Sequence, residues 1–154
     1  MTPLKRHTAL QSLSREHHKM LLISRVLRSD VPGYRGMPNT ASEKRDFLKG
    51  KMQELILEHF RKEEKFLFPY LEKRDRRFLE LTDSLRTDHH NLKALYSGIT
   101  KDDDNENILQ QFALLLEEHI RKEERILFQM VQEILGEEEL KNLQSLLEAP
   151  PTSQ

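Results

Sequence analysis

Glu58-His59-Phe60-Arg61-Lys62-Glu63-Glu64-Lys65-Phe66-Leu67-Phe68 returns later in the chain as Glu118-His119-Ile120-Arg121-Lys122-Glu123-Glu124-Arg125-Ile126-Leu127-Phe128, with eight of eleven positions identical. The segments before them also rhyme: Arg15-Glu16-His17-His18-Lys19-Met20-Leu21 against Thr87-Asp88-His89-His90-Asn91-Leu92-Lys93. Each half therefore reads as a helix carrying an acid-His-His triplet, followed by a helix carrying His-x-x-x-Glu. Two such halves imply two helix pairs related by a pseudo-twofold axis.

The stretches around these motifs are rich in Leu, Glu, Lys, Arg and Gln, and their apolar residues recur at three and four rather than two, which is the helical period. The spacing predicts helices over about 8–29, 43–73, 76–98, 105–135 and 137–148, with a loop from Asp30 to Ala41. Ser42 and Asp103 or Asp104 are expected as N-caps, and Gly98 and Gly136 as left-handed C-caps. Pro69 is expected to kink or end the second helix around Phe66 to Pro69. The expected fold is all-α: an antiparallel up-down-up-down four-helix bundle over about 8–135 with a short C-terminal fifth helix, forming one domain over 1–154.

Spacing alone does not make a metal site. Seven His and 26 acidic residues in 154 would give about one His-to-acid step of four by chance, against two seen. Register is more telling, because residues four apart share a helical face about 6 Å apart. On the second helix the stripe is Met52, Leu55, His59, Glu63, Phe66 and Tyr70. On the fourth it is Phe112, Leu115 or Leu116, His119, Glu123, Ile126 and Met130. Both polar pairs thus sit within apolar stripes. His17 lines up with Leu10, Leu13, Leu21 and Leu27, but His18 with Gln11, Ser14 and Arg25. His89 lines up with Leu81, Leu85, Leu92, Tyr96 and Ile99, but His90 with Asp83, Arg86 and Lys93. His17 and His89 are therefore expected to point inward, which sends four His and two Glu into the bundle centre.

With 36% hydrophobic and 33% charged residues, the core must be narrow, and two carboxylates buried there are strongly unfavourable unless protonated, paired or bound to metal. No inward Lys or Arg stands out as a partner. Six ligands arranged symmetrically suit two ions bridged by both Glu, and nitrogen and hard oxygen donors suit Fe, and also Mn, Zn or Ni. The chain has no Cys, so thiolate ligands, disulfides and a Cys nucleophile are excluded. A net charge of -1 argues against nucleic-acid binding, which needs a basic footprint. No apolar run approaches the roughly 18 residues that cross a bilayer, and the opening Met1-Thr2-Pro3-Leu4-Lys5-Arg6 lacks a signal-peptide segment, so a soluble cytoplasmic protein is expected.

The ordered set His17, His59 with Glu63, His89, and His119 with Glu123 resembles the hemerythrin-like (HHE cation-binding) domain family over about residues 10–132. The resemblance implies a four-helix bundle around a non-haem di-iron centre. It implies that the four His are terminal ligands and that Glu63 and Glu123 bridge two Fe ions beside an oxo or hydroxo group. Two departures separate the chain from the oxygen-carrying hemerythrins. Those place two His one turn apart on the third helix, whereas His89 here has Leu85 and Lys93 at those positions. Their fourth-helix carboxylate is an Asp five residues after its His, whereas Glu123 follows His119 by four. A missing fifth His leaves a further coordination position for water or substrate and argues against reversible oxygen carriage. The pattern is closer to bacterial HHE proteins, whose suggested roles include handling oxygen, nitric oxide or peroxide, iron-centre repair, and redox or iron sensing. The N-terminal Cys-containing region of many repair proteins in this group has no counterpart here.

The remaining candidates carry plainer expectations. His18 and His90 are expected at the surface or behind the ligands, with a fifth nitrogen from one of them as the alternative. His7 is expected at the surface, and Glu64 and Glu124 at the rim or in ion pairs. Tyr70 and Tyr96 are expected to pack in the core, with a hydrogen bond toward a metal-bound ligand as the alternative. The loop Asp30 to Asn39 reads as a connection more readily than as a gate, and Asp102-Asp103-Asp104 as a solvated turn. Leu140, Leu143 and Leu147 share a face of the fifth helix that would either cap the bundle, the favoured role, or make a homodimer contact. The leading functional expectation is a di-iron protein that binds or reduces oxygen, nitric oxide or peroxide, with enzymatic turnover left open. A metal- or redox-sensing interaction module is the alternative. Ferritin-like storage is disfavoured, because such bundles use Glu-x-x-His pairs and more carboxylates.

Overall fold

A computed structural model describes residues 5–33, 35–99 and 105–149. Among these the secondary structure is entirely helical and forms a helical bundle. Helix α1 is Thr8–Leu27. Helix α2 (41–74) is a continuous run in which α-helical segments Ala41–Lys51, Leu57–Lys62 and Phe68–Arg74 alternate with π turns Met52–Ile56 and Glu63–Leu67. A short 3-10 turn, Arg76–Phe78, leads into α3, Leu79–Ile99. Helix α4 (106–134) joins Glu106–Lys122 to Phe128–Ile134 through a π turn at Glu123–Leu127, and α5 is Glu137–Glu148. No described helix is long and apolar enough to cross a membrane.

Local chemistry explains where these elements start, and it corrects several expectations. Helix α2 is capped by Thr40 rather than Ser42: Thr40 Oγ1 accepts from the Glu43 N–H at 3.1 Å while Glu43 Oε1 accepts from the Thr40 N–H at 3.1 Å, a reciprocal capping box. His7 caps α1 through Nδ1, which accepts from the Ala9 N–H at 2.9 Å, and its Nε2 meets Glu137 at 3.1 Å, so it ties α1 to α5 rather than standing free. Gly98 lies inside α3, and Gly136 is extended at φ -77° and opens α5, its N–H donating to Glu139 Oε1 at 3.0 Å. Neither is a left-handed C-cap; the one positive-φ residue among those described is Gly36, at φ 80° in the first loop. Asp103 and Asp104 lie outside the described residues, and Asn105 precedes α4 without a side-chain cap.

Pro69 does not end α2, which continues to Arg74. The π turn Glu63–Leu67 comes immediately before it. Wider i→i+5 bonding at that point accommodates the missing N–H and the ring that would otherwise strike the carbonyl one α-turn back.

The core has two apolar clusters. One joins Leu10 and Leu13 of α1, Leu67 to Leu71 of α2, Phe78 and Leu85, Leu127 to Leu135, and Leu140, Leu143 and Leu147 of α5. The other joins Met20 to Leu27, Leu48 to Phe60, Leu92 and Ile99, and Leu109 to Ile120. The apolar face of α5 is therefore spent on closing one end of the bundle. Tyr70 is buried there too and donates its hydroxyl to the Glu139 carbonyl at 2.8 Å. Tyr96 packs against the second cluster. Along each long helix, the chain passes from one cluster to the other through a histidine.

Candidate metal centre

The π turns at Glu63–Leu67 and Glu123–Leu127 set the inward register. A straight α-helix has about 3.6 residues per turn, so a ladder of steps of four drifts around its surface, and an i→i+5 turn winds this drift back. The result keeps His59, Glu63 and Leu67 in line on α2, and His119, Glu123 and Leu127 in line on α4, all six fully buried. Phe66 and Ile126, expected on those stripes, are displaced by it: Phe66 is partly buried and Ile126 is 50% exposed. His17 and His89 are buried, whereas His18 and His90 are exposed, as their registers predict.

The six expected residues converge. Ligand atoms of His17, His59, Glu63 and Glu123 lie within 4.8 Å of one another, and so do those of Glu63, His89 and His119. Glu63 belongs to both groups: its Oε2 lies 3.2 Å from His59 Nε2, and its Oε1 lies 2.9 Å from His89 Nε2. Glu123 Oε1 lies 2.9 Å from His17 Nε2 and 3.6 Å from His119 Nε2. Phe128 stacks on His17 and Phe68 on His89, at matching positions of the repeat, with ring centroids 5.5 and 5.8 Å apart. Phe60 adds a closer stack on His89, at 3.9 Å.

Each imidazole turns its other nitrogen, Nδ1, to a carboxylate. His17 meets Glu124 at 2.6 Å, His59 meets Glu16 at 2.8 Å, His89 meets Glu64 at 2.5 Å and His119 meets Asp88 at 2.9 Å. Ionised carboxylates only accept hydrogen bonds, so Nδ1 carries the hydrogen and the inward Nε2 of a neutral ring presents a lone pair. His17 Nε2 and His59 Nε2 then face each other at 3.1 Å, an arrangement that calls for positive charge between them. Glu63 Oε2, Glu123 Oε2 and His119 Nε2 are also buried without a hydrogen-bond partner. Hard nitrogen and oxygen donors pointing at a common volume without internal partners are what cations require.

In the metal-free chain, protons take part of that role. Burial acts to lower His17, but hydrogen bonds to Glu123 and Glu124 and the nearby Glu63 carboxylate overcome it and hold the ring well above its ordinary range. Burial likewise opposes the charges of Glu123 and Glu63 and the hydrogen bond to Asp88 at His119, which is raised to about 10. His59 is raised too, against burial, by Glu63 and Glu16.

A family model described as the hemerythrin HHE cation binding domain matches residues 8–131. The chain belongs to this family. No curated protein and no solved structure matched it. In this HHE domain, the match spans α1 to α3, α4 as far as Val131, and every residue of the buried His and Glu cluster.

Glu64 and Glu124, expected at the rim or in ion pairs, do form ion pairs, but with the inward histidines; sequence reasoning gave Glu16 and Asp88 no role. The signal was in the repeat: both halves put an acid directly before the inward His and a second Glu directly after the inward Glu. Lys62 and Lys122, also repeated, donate to Glu16 and Asp88 at 2.9 Å each. The lysines absent from the centre thus lie one layer out.

Proposed function

We propose that this HHE domain is a non-haem di-iron protein that binds or reduces a small ligand such as oxygen, nitric oxide or peroxide. Its four long helices would run antiparallel, up-down-up-down. The two apolar clusters support that order, since one gathers the start of α1, the end of α2, the start of α3 and the end of α4. His17, His59 and Glu123 would hold one ion and His89 and His119 the other, with Glu63 between. The observation that carries the reading is the Glu63 carboxylate, buried and turned with one oxygen toward each pair of imidazoles. Bound iron would supply a Lewis acid able to change oxidation state. The protein's part is to bind, orient and exclude water: the Nδ1 carboxylates aim the ring nitrogens, Phe60, Phe68 and Phe128 wall the site, and the two apolar clusters close it at both ends. With four protein donors for one ion and three for the other, Glu63 counted at each, positions stay free for a small ligand.

Anaerobic loading with Fe(II), followed by desalting, tests this. Close to two irons per chain and a near-ultraviolet absorption change on admitting air are expected, and retention of no iron would overturn the proposal.

A further inference from the structure

The four outer carboxylates close a ring. Glu16 on α1 accepts from His59 on α2, Glu64 on α2 from His89 on α3, Asp88 on α3 from His119 on α4, and Glu124 on α4 from His17 on α1. Each helix therefore orients the imidazole of the next, and the fourth returns to the first. The links are not equally braced. Glu16 is also held by Lys62, Asp88 by Lys122, and Glu124 by Arg6 at 3.1 Å and Ser14 at 2.8 Å. Among the described residues Glu64 has no second such partner in the structure, and its side chain is 39% exposed against 26% or less for the other three.

From this ring we infer that Glu16, Glu64, Asp88 and Glu124 are positioning residues that act in pairs on separate ions, and that Glu64 is the link that yields first. Glu16 and Glu124 aim His59 and His17, and so serve the ion held with Glu63 and Glu123. Glu64 and Asp88 aim His89 and His119, and so serve the ion held with Glu63 alone. The second group has three protein donors against four, and one of its two histidines leans on the unbraced carboxylate. Its ion leaves first. The inference rests on the di-metal reading above, and losing a partner that orients a ligand His typically costs about 10- to 100-fold in metal affinity.

Co(II) serves as the probe, since its visible absorption reports ligand geometry as well as occupancy. The full chain is loaded with two equivalents, and release to a chelator is followed in wild type and in Glu16→Ala, Glu64→Ala, Asp88→Ala and Glu124→Ala, with metal-free thermal midpoints measured in parallel. Wild type should release its ions in two steps. Glu64→Ala and Asp88→Ala should weaken the faster-leaving ion about 10- to 100-fold with the other unchanged, Glu16→Ala and Glu124→Ala should do the converse, and each pair should alter its own part of the spectrum. Glu64→Gln, which keeps an acceptor for Nδ1–H, should restore part of the loss; Gln or Asn variants at the other sites replace any Ala variant that fails to fold. Variants that weaken both ions alike, or that lower only the metal-free midpoint with affinity intact, would overturn the ring while leaving the di-metal reading standing. Wild-type protein that retains no Co(II) would overturn both.

Discussion

Glu63 and Glu123 occupy equivalent positions in the repeat, yet their protonation is driven in opposite directions. Burial pushes both carboxyls up; at Glu63 it is outweighed by the charge of His59 and by the nearby Glu123, His119 and His17 side chains, which hold it well below the usual range. At Glu123 the negative charge of Glu63 adds to burial, and the group is raised. In the metal-free chain Glu123 therefore takes up a proton more readily than Glu63.

Metal must displace that proton and those on the inward imidazoles. Affinity for Co(II) or Fe(II), measured by chelator competition, should fall as pH is lowered from 7.5 to 5.5, by about tenfold per pH unit for each proton displaced. Affinity that stays level across this range would contradict the assignment of these groups as ligands.

The metal-free chain should show the opposite trend. His119 titrates at about 10 against an ordinary 6.5, and a raised folded pKa gives stability that is complete below 6.5 and lost as pH climbs through the folded value. Thermal midpoints in excess chelator should fall on the order of 5 °C between pH 6.5 and 10, and bound metal should remove most of the fall. A metal-free midpoint that rises over the same interval would show that the imidazolium charges do not stabilise the fold.

Glu63→Gln and Glu123→Gln each remove one anionic ligand while keeping shape. Each should lower the metal content of desalted protein by at least one ion per chain. The metal-free midpoint should hold in Glu123→Gln, whose carboxyl is already driven toward its neutral form, and fall in Glu63→Gln, which leaves the raised imidazoles without their buried counter-charge. An unchanged metal count would mean that neither Glu bridges.

Leu143 is fully buried in the cluster that α5 closes. Leu143→Ala should cost about 2–5 kcal/mol in denaturant unfolding and leave the metal content at two ions. Loss of metal in a variant that remains folded would show that the end of the bundle and its centre are one cooperative unit.

The helices and the six inward residues were legible because apolar periodicity marks a buried face and the repeat marks it twice: His17 and His89 could be told from His18 and His90 by register alone. That reasoning failed at Phe66 and Ile126, since it assumed one α-helical pitch through Glu63 and Glu123, where the helices widen into π turns. The pairing of the outer carboxylates with the histidines escaped it for another reason. Glu16, Glu64, Asp88 and Glu124 each serve a histidine on a different helix, and helical spacing compares positions only along one. Cap residues were the weakest reading, because Thr40 and Ser42 offer the same hydroxyl and only the backbone geometry decides between them.

Anomalous diffraction at the iron edge from crystals of iron-loaded protein tests the central claim most directly. Two peaks are predicted, one against His17 and His59 and one against His89 and His119, with the Glu63 carboxylate touching both. A single peak, or iron lying outside the six residues, would contradict it.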